Sequence, residues 1–168
     1  EMCIRDSINN GDGTFSYKTE NALRHTSFYS MGVDAADINN DGYTDFMTLD
    51  MVAEDNFRLK SNMSGMDPED FWNVVSKGGH YQYMFNALQL NNGNGSFSEI
   101  AHFSEMSSTD WSWSNLIADF DNDGLRDVHI TNGLLRDIRN SDADTEINQF
   151  VKKYITDYIK SHPNKGDI

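Results

Sequence analysis

Short apolar runs broken by Asn, Asp and Gly set the rhythm of this chain. Met31-Gly32-Val33-Asp34-Ala35-Ala36, Phe46-Met47-Thr48-Leu49, Ala87-Leu88-Gln89-Leu90, Ser114-Asn115-Leu116-Ile117-Ala118 and Val128-His129-Ile130-Thr131 are each bounded by turn formers. Runs this short, partly alternating and β-branched, predict strands rather than helices. Ile8-Asn9-Asn10-Gly11-Asp12-Gly13-Thr14-Phe15 predicts a hairpin whose second strand runs through Tyr17, and Leu90-Asn91-Asn92-Gly93-Asn94-Gly95-Ser96-Phe97 predicts another. Tyr81, Tyr83 and Phe85 alternate, so a strand is expected to lead into that second hairpin.

The pattern changes to a helical period in two places. Asp67-Pro68-Glu69-Asp70 reads as a cap, a first-position Pro and an acidic first turn, and Gly78-Gly79 ends the short helix. Ile147, Phe150, Val151, Tyr154, Ile155, Tyr158 and Ile159 recur at steps of three and four. They predict an amphipathic helix starting at Ser141 or Asp142 and ending at Ser161-His162-Pro163. Its apolar stripe is expected to pack on its own domain, with a partner surface as the alternative.

The strand-forming stretches are repeated. Asn9 and Asn91 open equivalent hairpins, Asp37 and Asp119 open equivalent Asp-rich loops, and both pairs are 82 residues apart. Equal offsets make the whole hairpin–spacer–loop module the repeating unit. The chain therefore divides into a first repeat at 8–50, an insert at 51–85, a second repeat at 86–133 and a helical tail at 134–168. The insert is expected to cap an edge or face of the sheet, with Met51, Met63 and Met66 coating a buried surface. Residues 1–7 break the register, since Asp6 stands where Leu88 does, and read as a truncated or foreign terminus.

Composition narrows the function. The chain has 168 residues, ten Phe, seven Tyr and three Trp, enough to build a core. With a net charge of −14 it is a poor partner for phosphate backbones, so nucleic acid is not an expected ligand. Its single cysteine, Cys3, excludes an internal disulfide. No apolar run approaches membrane-spanning length.

Part of the acidity is concentrated in two loops. Asp37-Ile38-Asn39-Asn40-Asp41-Gly42-Tyr43-Thr44-Asp45 and Asp119-Phe120-Asp121-Asn122-Asp123-Gly124-Leu125-Arg126-Asp127 share one grammar, D-x-[DN]-x-D-G-x-x-D. Oxygen-bearing side chains at positions one, three, five and nine converge only if the backbone curls, and Gly at position six permits the turn. Carboxylates so close repel unless neutralised, and a hard cation taking six to eight oxygens does so. Calcium is the expected cation. An EF-hand is excluded, because position twelve is Thr48 in one loop and Ile130 in the other, where a bidentate Glu is needed. The alternative is an ordinary Asn/Asp/Gly turn that binds nothing.

Paired loops of this grammar between strands, together with N-N-G-[DN]-G-[ST]-F hairpins, resemble the FG-GAP/VCBS repeats of integrin-α-type β-propellers. The resemblance covers roughly residues 8–50 and 86–133, and Trp111-Ser112-Trp113 ahead of the second loop also resembles large secreted bacterial proteins of the type associated with ASPIC/UnbV domains. It implies a mainly β fold of about two propeller blades, with a short helical insert and a C-terminal helix, cut from a larger propeller. It also implies two Ca²⁺ sites, one held by Asp37, Asn39, Asp41 and Asp45, the other by Asp119, Asp121, Asp123 and Asp127. Tyr43 and Leu125 would add carbonyls. The remaining blades of a longer chain would then be the neighbours of this piece.

The first functional expectation is a non-catalytic binding or adhesion scaffold for protein or carbohydrate. Calcium loops of extracellular modules bind at about 10⁻⁴–10⁻³ M, which points to export to the cell surface or beyond. The alternative is part of a propeller enzyme acting on polysaccharide, with His80, Tyr81 and Tyr83, or His102 with Glu105 and Asp110, as candidates and Trp111 and Trp113 as a sugar platform. A dockerin-like module is disfavoured by the strand-forming flanks. The second loop offers four carboxylates and the first three plus Asn39. Ligand charge tunes calcium affinity, so calorimetric titration is expected to find tighter calcium binding in an Asp41→Ala chain, which keeps the second loop, than in an Asp123→Ala chain.

Overall fold

The computed structural model describes residues 7–62, 67–133 and 141–161. It divides into two compact units, one of residues 1–54 and 66–133 and one of residues 55–65 and 134–168. The first unit holds every strand among the described residues. β1 (Ser7–Asn9) and β2 (Phe15–Tyr17) form the expected first hairpin. A single helical turn, α1 (Thr19–Ala22), and the two-residue β3 (Thr26–Ser27) follow.

The centre of the unit is an antiparallel four-stranded sheet. Its strands, in spatial and chain order, are β4 (Gly32–Ala36), β5 (Asp45–Leu49), β8 (Ala87–Asn91) and β9 (Phe97–Glu99). An up-and-down sheet of four strands has the form of a propeller blade. It does not coincide with either sequence repeat. Its first two strands come from the first repeat and its last two from the second, because β5 exchanges hydrogen bonds with β8 in the register Phe46↔Gln89, Met47↔Leu88 and Thr48↔Ala87. The expectation of about two blades therefore resolves into one complete four-stranded sheet flanked by two hairpins. The second flanking hairpin joins β10 (Asp110–Ala118) to β11 (Asp127–Asn132).

Alternation along β5 explains how these parts stack. Met47 and Leu49 are fully buried on one face and join Leu88, Ala101 and Ile117 in the core. Val128 and Ile130 of β11 pack against the same cluster, so the β10–β11 hairpin covers this face. Asn115 donates to the Met47 carbonyl at 3.0 Å and the Ile117 N–H donates to Asp34 at 2.7 Å, tying β10 across the sheet. Phe46 and Thr48 point to the opposite face, over a cavity of about 540 Å³ that Ser7 and Ile8 of β1 also line.

The insert contributes less sheet than its pattern predicts. Between Tyr81 and Phe85 only Gln82–Tyr83 forms a strand, β7, and it runs parallel to β3 rather than on into β8. Two-residue strands carry too few apolar positions to stand out as periodicity. β6 (Met51–Val52) pairs with the start of β10, so this part of the insert does extend a sheet. Met51 is half-buried, while Met63 and Met66 lie outside the described residues. The short helix forms as expected: α3 (Pro68–Ser76) is capped by Asp67, whose carboxylate accepts from the Glu69 N–H at 2.8 Å. None of its residues is buried.

In the second unit, α2 (Asn56–Asn62) touches α4 (Ser141–Ser161), the predicted C-terminal helix. The apolar stripe of α4 is exposed, from Tyr158 at 44% to Phe150 at 71%, in contrast to the expected packing. The amphipathic period fixed the helix but not what covers it. Residues 1–6, including Cys3, lie outside the described residues.

A buried polar network holds the end of β5. Asp50 is fully buried, and one carboxylate oxygen accepts from the Ser27 hydroxyl at 2.7 Å and from the N–H groups of Phe28 at 2.9 Å and Tyr29 at 3.1 Å. Its other oxygen accepts from the Met51 N–H at 2.7 Å. Burial raises the carboxyl above its ordinary value of 3.8, with these donors pulling the other way. Asp50→Asn turns an amide NH₂ against N–H donors on one side or the other, and is expected to cost about 1–3 kcal/mol in urea unfolding. A raised folded-state pKa binds the proton more tightly than the unfolded chain does. Wild-type stability is thus expected to fall as pH rises from 3.8 through the folded-state value, a slope the Asn variant lacks.

Candidate metal centre

The two Asp-rich loops connect β4 to β5 and β10 to β11, as their flanking strands predict. The hydrogen bonds from their backbone N–H groups are the same, position for position. The two oxygens of Asp37 accept from the N–H groups of Asp41 at 3.0 Å and Gly42 at 2.8 Å, and those of Asp119 accept from Asp123 at 3.1 Å and Gly124 at 2.9 Å. Asp41 accepts from the Tyr43 N–H at 2.9 Å, as Asp123 does from Leu125 at 2.7 Å. Asp45 accepts from Ile38 at 2.8 Å, as Asp127 does from Phe120 at 2.9 Å. Gly42 and Gly124 both sit at φ +89°, where an L side chain is strained. The backbone thus winds around the acidic side chains in the same way in both loops.

Whether these residues suit a cation can be tested on their spacing. Oxygens bound to one Ca²⁺ at about 2.3–2.6 Å lie no further apart than about 5 Å. Carboxylate oxygens of Asp119, Asp121 and Asp127 all lie within 4.8 Å of one another, which fits. Asp123 is outside that trio, and its carboxylate accepts from the Leu125 N–H. In the first loop the corresponding groups are Asp37, Asn39 and Asp45, and the Asn39 amide donates at 2.9 Å to Asp41, the counterpart of Asp123. The ninth positions differ in setting. Asp45 is fully buried and its second oxygen accepts from the Asn91 N–H at 2.8 Å, so it ties the loop to β8, whereas Asp127 is half-buried. Leu125 has no ligand atom in its side chain and the Tyr43 ring lies against Gly93, so the backbone carbonyl is the ligand each position has to offer.

The loops are also neighbours. The Asn40 side-chain amide donates to the Gly124 carbonyl at 3.2 Å, so the two acidic turns form one continuous surface. The repeat spacing did not reveal this, since a sequence offset says nothing of distance.

Tyr83 and His102 lie on either side of Phe85, and Tyr81 and Tyr83 on either side of Phe71, so the two histidine sets adjoin one aromatic cluster. His102 lies against Phe85, with ring centroids 4.7 Å apart, and His80 lies 6.5 Å from Tyr81. A bulge between Ser112 and Ser114 breaks the alternation of β10, so Trp111 is buried while Trp113 is 44% exposed. The pair therefore makes no shared platform. Sequence reasoning missed an aromatic cluster in which His25 contacts Tyr83 and Phe85 at 5.3 and 5.2 Å and Phe71 contacts Tyr83 at 5.5 Å. His25 stands 4.0 Å from Glu99, and its pKa is lowered chiefly by burial, with Glu99 opposing. A lone His outside any motif gives no sequence signal for such a cluster.

A protein-family model described as an FG-GAP-like repeat matches residues 7–48 and 72–130. No curated protein and no solved structure matches the chain. Among the described residues, no helix is long and apolar enough to cross a membrane.

Both loop glycines are required by backbone conformation alone. Gly42→Ala or Gly124→Ala is expected to cost about 1–2 kcal/mol in thermal or urea unfolding, and to do so in chelator as well as in calcium.

Proposed function

The chain belongs to the FG-GAP-like repeat family, and from that premise we propose that it is a calcium-braced, non-catalytic binding scaffold of an exported protein. Repeats of this family typically serve as scaffolds with the form of propeller blades. The observation that carries the reading is the convergence of the Asp119, Asp121 and Asp127 oxygens within 4.8 Å, inside a loop whose hydrogen bonds are duplicated in the first repeat.

Asp37, Asn39, Asp41 and Asp45, with the Tyr43 carbonyl, would hold one ion. Asp119, Asp121, Asp123 and Asp127, with the Leu125 carbonyl, would hold the other. A bound cation supplies positive charge that offsets carboxylate repulsion. The protein's own part is to pre-aim the ligands. Backbone N–H groups fix both oxygens of the first Asp, and the glycine turn brings position five back toward position one. Each loop closes a strand pair, so bracing it stiffens one end of the hairpin and holds the surface that meets a protein or carbohydrate ligand. The loop affinities of extracellular modules, about 10⁻⁴–10⁻³ M, suit a compartment rich in calcium.

Thermal melts in millimolar Ca²⁺, in Mg²⁺ and in chelator test this reading. A site present only in the folded state adds about 2.7 kcal/mol at a hundred times Kd. A large rise in Tm with Ca²⁺, absent with Mg²⁺ and lost in an Asp41→Ala, Asp123→Ala double variant, is expected. A melt indifferent to all three conditions would reduce the loops to ordinary turns.

A further inference from the structure

One hydrogen bond crosses from the first Asp-rich loop to the second, and it ends on a peptide group that shapes the second site. The Asn40 side-chain amide donates to the Gly124 carbonyl at 3.2 Å. That carbonyl shares its peptide group with the Leu125 N–H, which donates to Asp123 at 2.7 Å. A peptide group is planar, so a bond that fixes its oxygen also fixes the direction of its N–H. On the other side of the same Cα, the Gly124 N–H donates to Asp119 at 2.9 Å. Gly124 thus links the carboxylates at positions one and five, and Leu125, whose carbonyl would be the seventh-position ligand, follows it.

This peptide group needs a tether. Glycine has no Cβ to restrict rotation, so the plane after it turns more freely than any other in the loop. Gly124 sits at φ +89°, and no atom beyond its chain neighbours lies within 4 Å of where a Cβ would stand. Packing therefore does not hold it. The donor, by contrast, is held on both sides. Asn40 lies at φ +58°, a conformation Asn tolerates, between Asn39 and Asp41, whose side chains are hydrogen-bonded at 2.9 Å. The Asp41 N–H is held in turn by Asp37 at 3.0 Å.

We propose that Asn40, a residue of the first loop, is a positioning residue of the second: it fixes the peptide group that holds Asp123, so that order in the first loop raises the cation affinity of its neighbour. The gain in affinity rests on the calcium reading of the loops, whereas the ordering holds without any ion. Coupling of this kind is reciprocal. An ion that fixes Asn39 and Asp41 favours binding at the second loop, and the second loop returns the same factor.

The test compares the full chain with Asn40→Gly, which permits the same backbone conformation and removes the amide. Asn122→Gly makes the same change at the equivalent position of the second loop, φ +63°, and leaves the Asn40 bond in place. Amide hydrogen exchange, followed by NMR in chelator, reads the order of the second loop at Gly124 and Leu125. Asn40→Gly is expected to speed exchange there about threefold to tenfold, the effect of one neutral hydrogen bond, and more than Asn122→Gly does. Calcium titration read at Leu125 then gives the Kd of the second loop alone, expected to rise by a similar factor in Asn40→Gly. Repulsion between ions acts on wild type and variant alike, so the difference between them reads the hydrogen bond. Unchanged exchange at Gly124 and Leu125, or exchange no faster than in Asn122→Gly, would overturn the ordering role. Faster exchange with an unchanged second-loop Kd would overturn the coupling to the cation. A wild type that takes up no calcium at either loop would overturn that coupling together with the calcium reading, while the exchange rates still decide the ordering role. Circular dichroism melts check folding, and Asn40→Asp, which keeps the shape but cannot donate, repeats the exchange measurement if the glycine variant fails to fold.

Discussion

Burial of one strand along both edges and on one face sets the arrangement of the strand-built unit. β5 is hydrogen-bonded along both edges, to β4 and β8, and its Met47 and Leu49 face is covered by β10–β11. Removing a fully buried Met or Leu side chain costs about 2–5 kcal/mol, more than any exposed loop contact contributes. Both Asp-rich loops take their positions from this packing. One leads into β5 itself, and the other joins the two strands laid across it.

That dependence gives the loop electrostatics a structural meaning. Each loop arranges acidic side chains with backbone N–H groups, and the Asn40–Gly124 hydrogen bond brings the two acidic groups together. The attraction of N–H dipoles for carboxylates offsets part of the repulsion without removing net charge. A cation at one loop would therefore lower the repulsion felt at the other, and dissolved salt would screen it.

Much of this was legible in the chain. The N-N-G-x-G turns and the D-x-[DN]-x-D-G loops specify backbone conformation residue by residue, so the hairpins and loop flanks formed where the pattern placed them. What could not be read was partnership. The sheet joins halves of two repeats because β5 selects β8, with Leu88 packing beside Met47 on one face and Ala87 beside Thr48 on the other, a choice invisible in periodicity. β3, β6 and β7 are too short to give a period. The Asp50 network draws on Ser27, Phe28, Tyr29 and Asn86, residues that share no motif. The stripe of α4 shows the limit from the other side: its period was plain, yet the stripe is exposed.

The two side-chain ties between β5 and β8 have a consequence for how the chain can vary. At one end the Asn91 N–H donates to Asp45, and at the other the Asp50 N–H donates to Asn86 at 2.8 Å. These ties lie at both ends of the strand pair, while the polypeptide between the two strands wanders through α2, α3 and β7 before returning. Alignment of the strands is thus set by the sheet's own side chains and owes nothing to the length of the excursion. Lengthening a flexible connection costs only about 0.6 kcal/mol per doubling. The stretch between β5 and β8 is in effect an open socket, where residues can be gained, lost or exchanged while the blade around it keeps its register.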